Sequence, residues 1–268
     1  MGSPETAVLV TSDWHYGKQT ASYGPQTFRS RFESLGERLI QFRDRHLGGK
    51  HLDKLIVLIL GDVCDGGGIY PTQPHHQEIT DPQEQAWQLS GVTSAWLGKQ
   101  REAWGEVEVF AVPGNHGRAG KHAHENTNFD VVFYRYLQGQ AKEHGVSVNL
   151  NTADYFLQKA QIRGHHYLLY HGDRIYGTSG IPWYGVQNRL LRWNTSDSLG
   201  PIDVLCMGHF HALAHWRVNR VQVLATGTMV TDDQWALTTL GFDSANQWWL
   251  FGVSDKHPIT WQYGLDLA

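Results

Sequence analysis

The sequence predicts an α/β sandwich, with two facing sheets and helices on their outer sides. Two observations carry the prediction. The first half alternates as β-α-β-α-β, whereas the second half is mostly short strands separated by turns. A plain doubly wound sheet would want more helix after residue 195. In addition, polar clusters recur directly after predicted strands, where sites gather in α/β folds.

Taken in order, Ala7 to Thr11 reads as the first strand and runs into Ser12-Asp13-Trp14-His15. Phe28, Phe32, Leu35, Leu39 and Phe42 recur at spacings of four and three, which predicts a helix over 28–47 that stops at Gly48-Gly49. Leu55 to Leu60 is continuously apolar, as expected of a central strand covered on both faces. It ends in a run from Gly61 to Gly68 that holds Asp62 and Asp65. The stretch 66–80 has no period and reads as a surface loop. Asp81, Pro82 and Glu84 signal a helix start, with Asp as cap and Pro at the first helical position. That helix extends to Trp104, and Val107 to Val112 is the third strand, leading into Pro113-Gly114-Asn115-His116. A helix is expected over 128–143 and a hairpin from 155–162 and 165–170, turning at Arg163-Gly164. A short helix follows at 183–193, then a strand at 203–207 ending in Gly208-His209-Phe210-His211. Apolar stretches at 212–218, 221–225, 235–242, 247–253 and 259–263 complete the strand-rich half.

Composition narrows the class. The chain has 268 residues, 41% of them hydrophobic, with a formal charge of −4. One domain spanning 1–268 is expected. The aromatic content is too high for a disordered chain, and the net charge argues against a strongly basic nucleic-acid-binding domain. No secretory leader is expected from the first residues, and no segment approaches the length of a membrane span. Two cysteines, Cys64 and Cys206, make no disulfide scaffold, which points to a reducing, cytoplasmic setting. The 16 histidines are the unexplained excess.

Five strand ends carry Asp13-x-His15, Asp62-x-x-Asp65, Asn115-His116, His171 and His209-x-His211. Alone, each reads as readily as structure: a loop hydrogen-bond pair, a turn cap, a left-handed Asn, a satisfied His. Together they offer the imidazole and carboxylate donors expected for manganese, iron, zinc or related divalent ions.

This ordered set resembles the calcineurin-like metallophosphoesterases. That family's pattern is Asp-x-His, Gly-Asp-x-x-Asp, Gly-Asn-His followed by Asp or Glu, a later His, then Gly-His-x-His. All five parts occur here in order between Asp13 and His211, about three quarters of the chain. The resemblance implies a four-layer α-β-β-α sandwich of two facing mixed sheets and a pair of divalent metals. It assigns Asp13, His15 and His211 to one metal, Asn115, His171 and His209 to the other, and Asp62 to a bridge. His116 would lie beside the metals as a catalytic group, oriented by Asp65. The implied reaction is phosphoester hydrolysis by metal-activated hydroxide, with the two ions clamping the attacking and departing oxygens. Gly117 departs from the pattern, standing where the family has Asp or Glu, which leaves the loop after His116 open. Arg118, Lys121, His122 and Arg174 are candidate phosphate contacts, and a solvated basic turn or a surface ion pair explains them as well.

The opening Thr11 to Lys18 is closest to the SbcD/Mre11-type DNA repair nucleases, a branch that implies manganese-dependent cleavage of DNA phosphodiesters. Iron, zinc, nickel and magnesium are alternatives to manganese. Gly66-Gly67 after Asp65 replaces the Arg-Gly of serine/threonine protein phosphatases and lowers that reading. Trp14, Tyr16, Trp183 and Tyr184 are candidate base-stacking platforms, with core packing as the competing role. The expected function is a phosphodiesterase, with DNA exonuclease action as its narrower form. The alternatives are a phosphomonoesterase on a small molecule, nucleotide or phosphoprotein, and an inactive metal-bound scaffold. Substrate is a phosphate ester, DNA or a nucleotide, with no membrane partner.

Overall fold

Strands β1 (Glu5–Thr11) and β2 (Leu52–Ile59) pair in parallel, and their burial explains why the sequence runs apolar without alternation. Ala7, Leu9, Leu55, Val57 and Ile59 face a core built with helices. Val8, Val10, Ile56 and Leu58 face a second core built with another sheet. Both faces are therefore dry, as in a central parallel strand of a layered α/β fold. The computed structural model describes residues 4–45, 52–124, 126–151, 156–177, 182–234, 237–238 and 244–268.

With β3 (Val107–Ala111), β4 (Ser147–Leu150), β10 (Gln247–Val253) and β11 (Trp261–Asp266), these strands form a sheet ordered β11-β10-β1-β2-β3-β4. β1 to β4 run parallel, and β10 and β11 are antiparallel additions. The second sheet has β5 (Leu157–Ile162), β6 (His165–Tyr170), β7 (Val204–Met207), β8 (Ala214–Val218) and β9 (Val221–Ala225) in the order β5-β6-β7-β9-β8. Its β6, β7 and β9 are parallel. The inner faces of the two sheets meet through residues such as Leu58, Leu60, Tyr167, Leu169 and Cys206.

Helices close the outer sides. α1 (Pro25–Arg45), α2 (Pro82–Trp104) and α3 (Phe129–Lys142) cover the first sheet, and α4 (Trp183–Trp193) covers the second with Val186 and Leu190. The architecture is thus the four-layer α-β-β-α sandwich. α1 buries Phe28, Phe32, Leu35 and Leu39, the residues whose spacing marked it. Asp81 caps α2 by accepting from the Gln83 N–H at 2.9 Å, and Pro82 takes the first helical position. Glu84 does not reach back to close a capping box. It accepts from Gln88 one turn along.

Two features differ from the sequence reading. β4 is a four-residue edge strand, too short and too polar to show a period. The stretch 66–80 contains a 3-10 turn, Gln73–His76, anchored by the buried Gln73. The expected helix stop at Gly48-Gly49, the start of the hairpin at 155 and most of the stretch 235–242 lie outside the described residues. No helix among the described residues is long and apolar enough to cross a membrane.

Candidate metal centre

The polar clusters follow β1, β2 and β3 of one sheet and β6 and β7 of the other. Parallel neighbours deliver their C-terminal ends to a common edge, so five segments of sequence converge there. Backbone geometry does the aiming. Asp13 (φ 54°), His15 (φ 46°), Asp62 (φ 51°), His209 (φ 69°) and His211 (φ 49°) are all left-handed. The left-handed region costs a residue with a Cβ about 1–2 kcal/mol. Such outliers persist where the surroundings over-determine them, commonly at functional sites. Here they turn both members of Asp13-x-His15 and of His209-x-His211 to the same side. Backbone bonds lock the turn: Asp13 N–H donates to Gly61 O at 3.0 Å and His15 N–H to Asp62 O at 2.9 Å.

Asp13, His15 and His211 form one group whose donor atoms converge, and Asp62, His171 and His209 form another. His211 Nε2 lies 3.1 Å from Asp13 Oδ1 and 3.3 Å from His15 Nε2. His171 Nε2 lies 3.1 Å from both Asp62 Oδ2 and Asn115 Oδ1. The other ring nitrogen, Nδ1, is 2.7 Å from Leu60 O. With Nδ1 donating there, loss of the Nε2 proton would leave that nitrogen's lone pair toward the cluster, the usual second contact of a ligating imidazole. Asp13 uses Oδ2 to accept from the His209 N–H at 2.9 Å, which joins the first group to the second. A third overlapping group, His15, Asp62 and His116, lies among these donors.

Burial and charge pull these groups apart. Burial would raise the Asp13 carboxyl, but His211 and the charge of His171 hold it down at about 2. Burial also opposes charge on His171, yet Asp62 beside it pushes the imidazole up to about 10. Burial and the nearby positive His171 drive His209 down to about 3. Burial raises the Asp62 carboxyl, but His171 and His116 outweigh it and leave it well below the usual carboxylate range. Buried carboxylates and imidazoles of this kind suit divalent ions, which supply the missing positive charge and take nitrogen and oxygen donors.

Asp65 faces two rings. Its Oδ1 is 3.3 Å from His15 Nδ1 and 3.7 Å from His116 Nδ1, and its Oδ2 accepts from Gln77 Nε2 at 2.6 Å. The carboxylate therefore stands behind a proposed ligand as well as behind His116, a double role the sequence did not show. Burial lowers the His116 pKa, but Asp62 and Asp65 outweigh it and leave it raised. The His116 N–H donates to Asp62 Oδ1 at 2.7 Å, and Gln73 Nε2 is 3.3 Å from His116 Nδ1.

The remaining candidates separate. Arg118 pairs with Asp173 at 2.9 Å and lines a cavity with Lys121. His122 is exposed on the adjoining turn. The Arg174 guanidinium lies 4.3 Å over the Phe156 ring. Trp14 and Tyr16 are buried among Phe28, Phe32 and Trp248, so they pack the core and cannot receive a base. Trp183 and Tyr184 are exposed. Missed by sequence reading were Tyr70, whose ring is 5.3 Å from His116, and the buried Asp130 at the start of α3. Asp130 carried only a helix-start signal, because its partners lie far away in sequence.

Two cavities border this edge. One of about 400 Å³ is lined by Lys18, Asp65, Tyr70, His116 and Asp233. The other, about 600 Å³, is lined by Tyr70, Asn115, Arg118 and Lys121. Tyr70 and Pro71 belong to both walls.

The family pattern described as calcineurin-like phosphoesterase matches residues 6–213. The chain belongs to the calcineurin-like phosphoesterase family, a family of hydrolases, and its His/Asp clusters can hold metal ions. No curated protein matches it. Among solved structures, an archaeal phosphodiesterase is similar at 12% identity and a TM-score of 0.47, with 97% of this chain and 100% of that chain covered. Vps29 from Entamoeba histolytica, complexed with zinc, is similar at 13% identity and 0.47, with 98% and 100% covered. Vps29 from Cryptosporidium parvum is similar at 18% identity and 0.43, with 94% and 87% covered.

Proposed function

We propose that this chain is a dinuclear-metal-dependent phosphodiesterase, acting as one domain over 1–268 and using two divalent ions, manganese first among them. Asp13, His15 and His211 would hold one ion, Asn115, His171 and His209 the other, with Asp62 between them. Bound there, the ions supply charge stabilisation of the phosphoryl group and a water of lowered pKa. The rest is the work of the chain. Neutral Asn115 adds a donor without adding charge. Leu60 O holds the ring of His171 in its tautomer, and Asp65 places its carboxylate 3.3 Å from Nδ1 of His15. His116, raised in pKa by Asp62 and Asp65, carries the proton that the departing oxygen needs. Arg118 and Lys121, which line the cavity beside Asn115, would meet phosphate oxygens or an anionic substituent, and His122 and Arg174 are lesser candidates for that contact.

The observation that carries the diester reading is the pair of cavities on either side of Tyr70. A monoester presents one organic arm, whereas a diester needs room for two. A nucleotide or DNA diester is the substrate class we favour, with exonuclease action as its narrower form. Of the four base-stacking candidates, the exposed Trp183 and Tyr184 alone retain that role. The free, buried Cys64 and Cys206 are in keeping with a cytoplasmic enzyme.

The test is a panel with manganese-loaded protein: bis(4-nitrophenyl) phosphate, 4-nitrophenyl phosphate, single-stranded DNA and duplex DNA. We expect turnover of the aryl diester and of DNA, abolished by chelator. Turnover confined to the monoester would overturn the diester reading. No turnover with two bound ions would favour the scaffold.

A further inference from the structure

Helix α3 opens on Asn128-Phe129-Asp130, and the Asp130 side chain is fully buried. Its Oδ2 accepts the backbone N–H of Asp62 at 2.9 Å and that of Gly114 at 2.8 Å. Its Oδ1 accepts the N–H of Cys64 at 3.0 Å. One carboxylate therefore ties the loop after β2, which carries Asp62, to the loop after β3, which carries Asn115. Asn128 completes the clamp. Its amide donates to Gly114 O at 2.8 Å, while its Oδ1 accepts from the Asp130 N–H at 2.8 Å.

Gly117 shows why the carboxylate comes from this helix. A Cβ at position 117 would collide with Asn128 Oδ1 and lie 2.9 Å from Asp130 Oδ1. The room a side chain there would need is already filled by Asn128 and Asp130. The Phe129 N–H also donates to Gly117 O, so helix start and loop are joined by backbone as well.

We infer that Asp130, with Asn128, is the positioning residue for the Asp62–Asn115 side of the centre, and that it supplies from α3 the acid the family pattern places directly after Gly-Asn-His. Asp130 binds three backbone N–H groups and acts on the ligands through their loops. Buried carboxylate-to-amide bonds are short and strong, so this anchor defines where Asp62 and Asn115 stand. The inference rests on the two-ion reading of the centre, and the experiment separates the two.

Manganese is titrated calorimetrically into the full chain after removal of metal by chelator, and the loaded protein is examined by electron paramagnetic resonance. Wild type takes up two ions and gives the spectrum of a spin-coupled pair; uptake of fewer than two refutes the two-ion reading before any variant is made. Asp130→Asn keeps the shape but sets an amide donor against a backbone donor. It should lower the affinity for one ion by about 10–100-fold, the range for partners behind metal ligands. The coupled spectrum should give way to that of isolated manganese. Gly117→Ala changes no ligand and no carboxylate, yet it should weaken the same ion by pressing on Asn128 and Asp130. Circular dichroism of the stripped proteins checks that each variant is folded. Asp130→Asn that binds both ions with wild-type affinity and keeps the coupled spectrum overturns the inference.

Discussion

The candidate metal centre and the rim around it are built in opposite ways. At the centre, Asp13, His15, Asp62 and His171 are each at most 1% exposed and stand on strand ends. Left-handed backbone and bonds between loops far apart in sequence hold them. At the rim, Tyr70 is 44% exposed, Lys121 and His122 lie on an exposed turn, and the wall is the stretch 66–80. The side chains of the centre are buried inside the fold, whereas Tyr70, Lys121 and His122 face solvent. Changes at the centre should therefore remove metal and turnover together, and changes at the rim should alter substrate affinity while the ions stay.

The largest effect should come from Asp62. Asp62→Asn removes the carboxylate proposed to lie between the two ions, and kcat/KM on an aryl diester should fall about 10³-fold, a loss of roughly 4 kcal/mol in transition-state stabilisation. Metal content measured on the same sample should fall with it. His116→Ala leaves the proposed ligand set intact, so it should lower kcat about 10²-fold with both ions retained. Loss of metal in that variant would move His116 into the ligand set.

The next effect is a pH dependence. His171 is pushed up to about 10 beside Asp62, and a ligating imidazole must be neutral. Metal uptake must expel that proton. Manganese affinity should rise about tenfold per pH unit from neutrality and level off near pH 10. For the stripped protein the sign is opposite. A pKa raised above the ordinary 6.5 stabilises fully below 6.5, and this contribution is lost as pH rises through about 10. Calorimetry in buffers of different ionisation enthalpy reads the released proton, and an affinity flat with pH would contradict the pairing. The smallest effect belongs to the rim. Tyr70→Ala should raise KM for a diester by about 3–10-fold with kcat and metal content unchanged, the scale of one lost aromatic contact of about 1 kcal/mol.

The same contrast explains what could be read in the sequence. The apolar run Leu55 to Leu60 announced a doubly covered strand, and the strand ends at Asp13, Asp62, Asn115, His171 and His209 announced one polar edge. Those signals are local, since each motif sits within a few residues of the strand that presents it. Asp130 and Tyr70 are different. Their importance arises from contacts across the fold, with Asp62, Gly114 and His116, which no local pattern encodes. Trp14 and Tyr16 show the converse. Their place beside the first ligands suggested a surface role, but the turn that aims Asp13 and His15 at the centre leaves those aromatic rings in the core. The edge strand β4 and the turn at Gln73–His76 were too short for any period to reveal.

The central claim is that five strand ends build one two-ion centre. Anomalous diffraction from crystals loaded with manganese tests it most directly. The account predicts two peaks about 3.5–4 Å apart, one beside Asp13, His15 and His211, the other beside Asn115, His171 and His209, with Asp62 between them. A single peak, or peaks away from these residues, would contradict it.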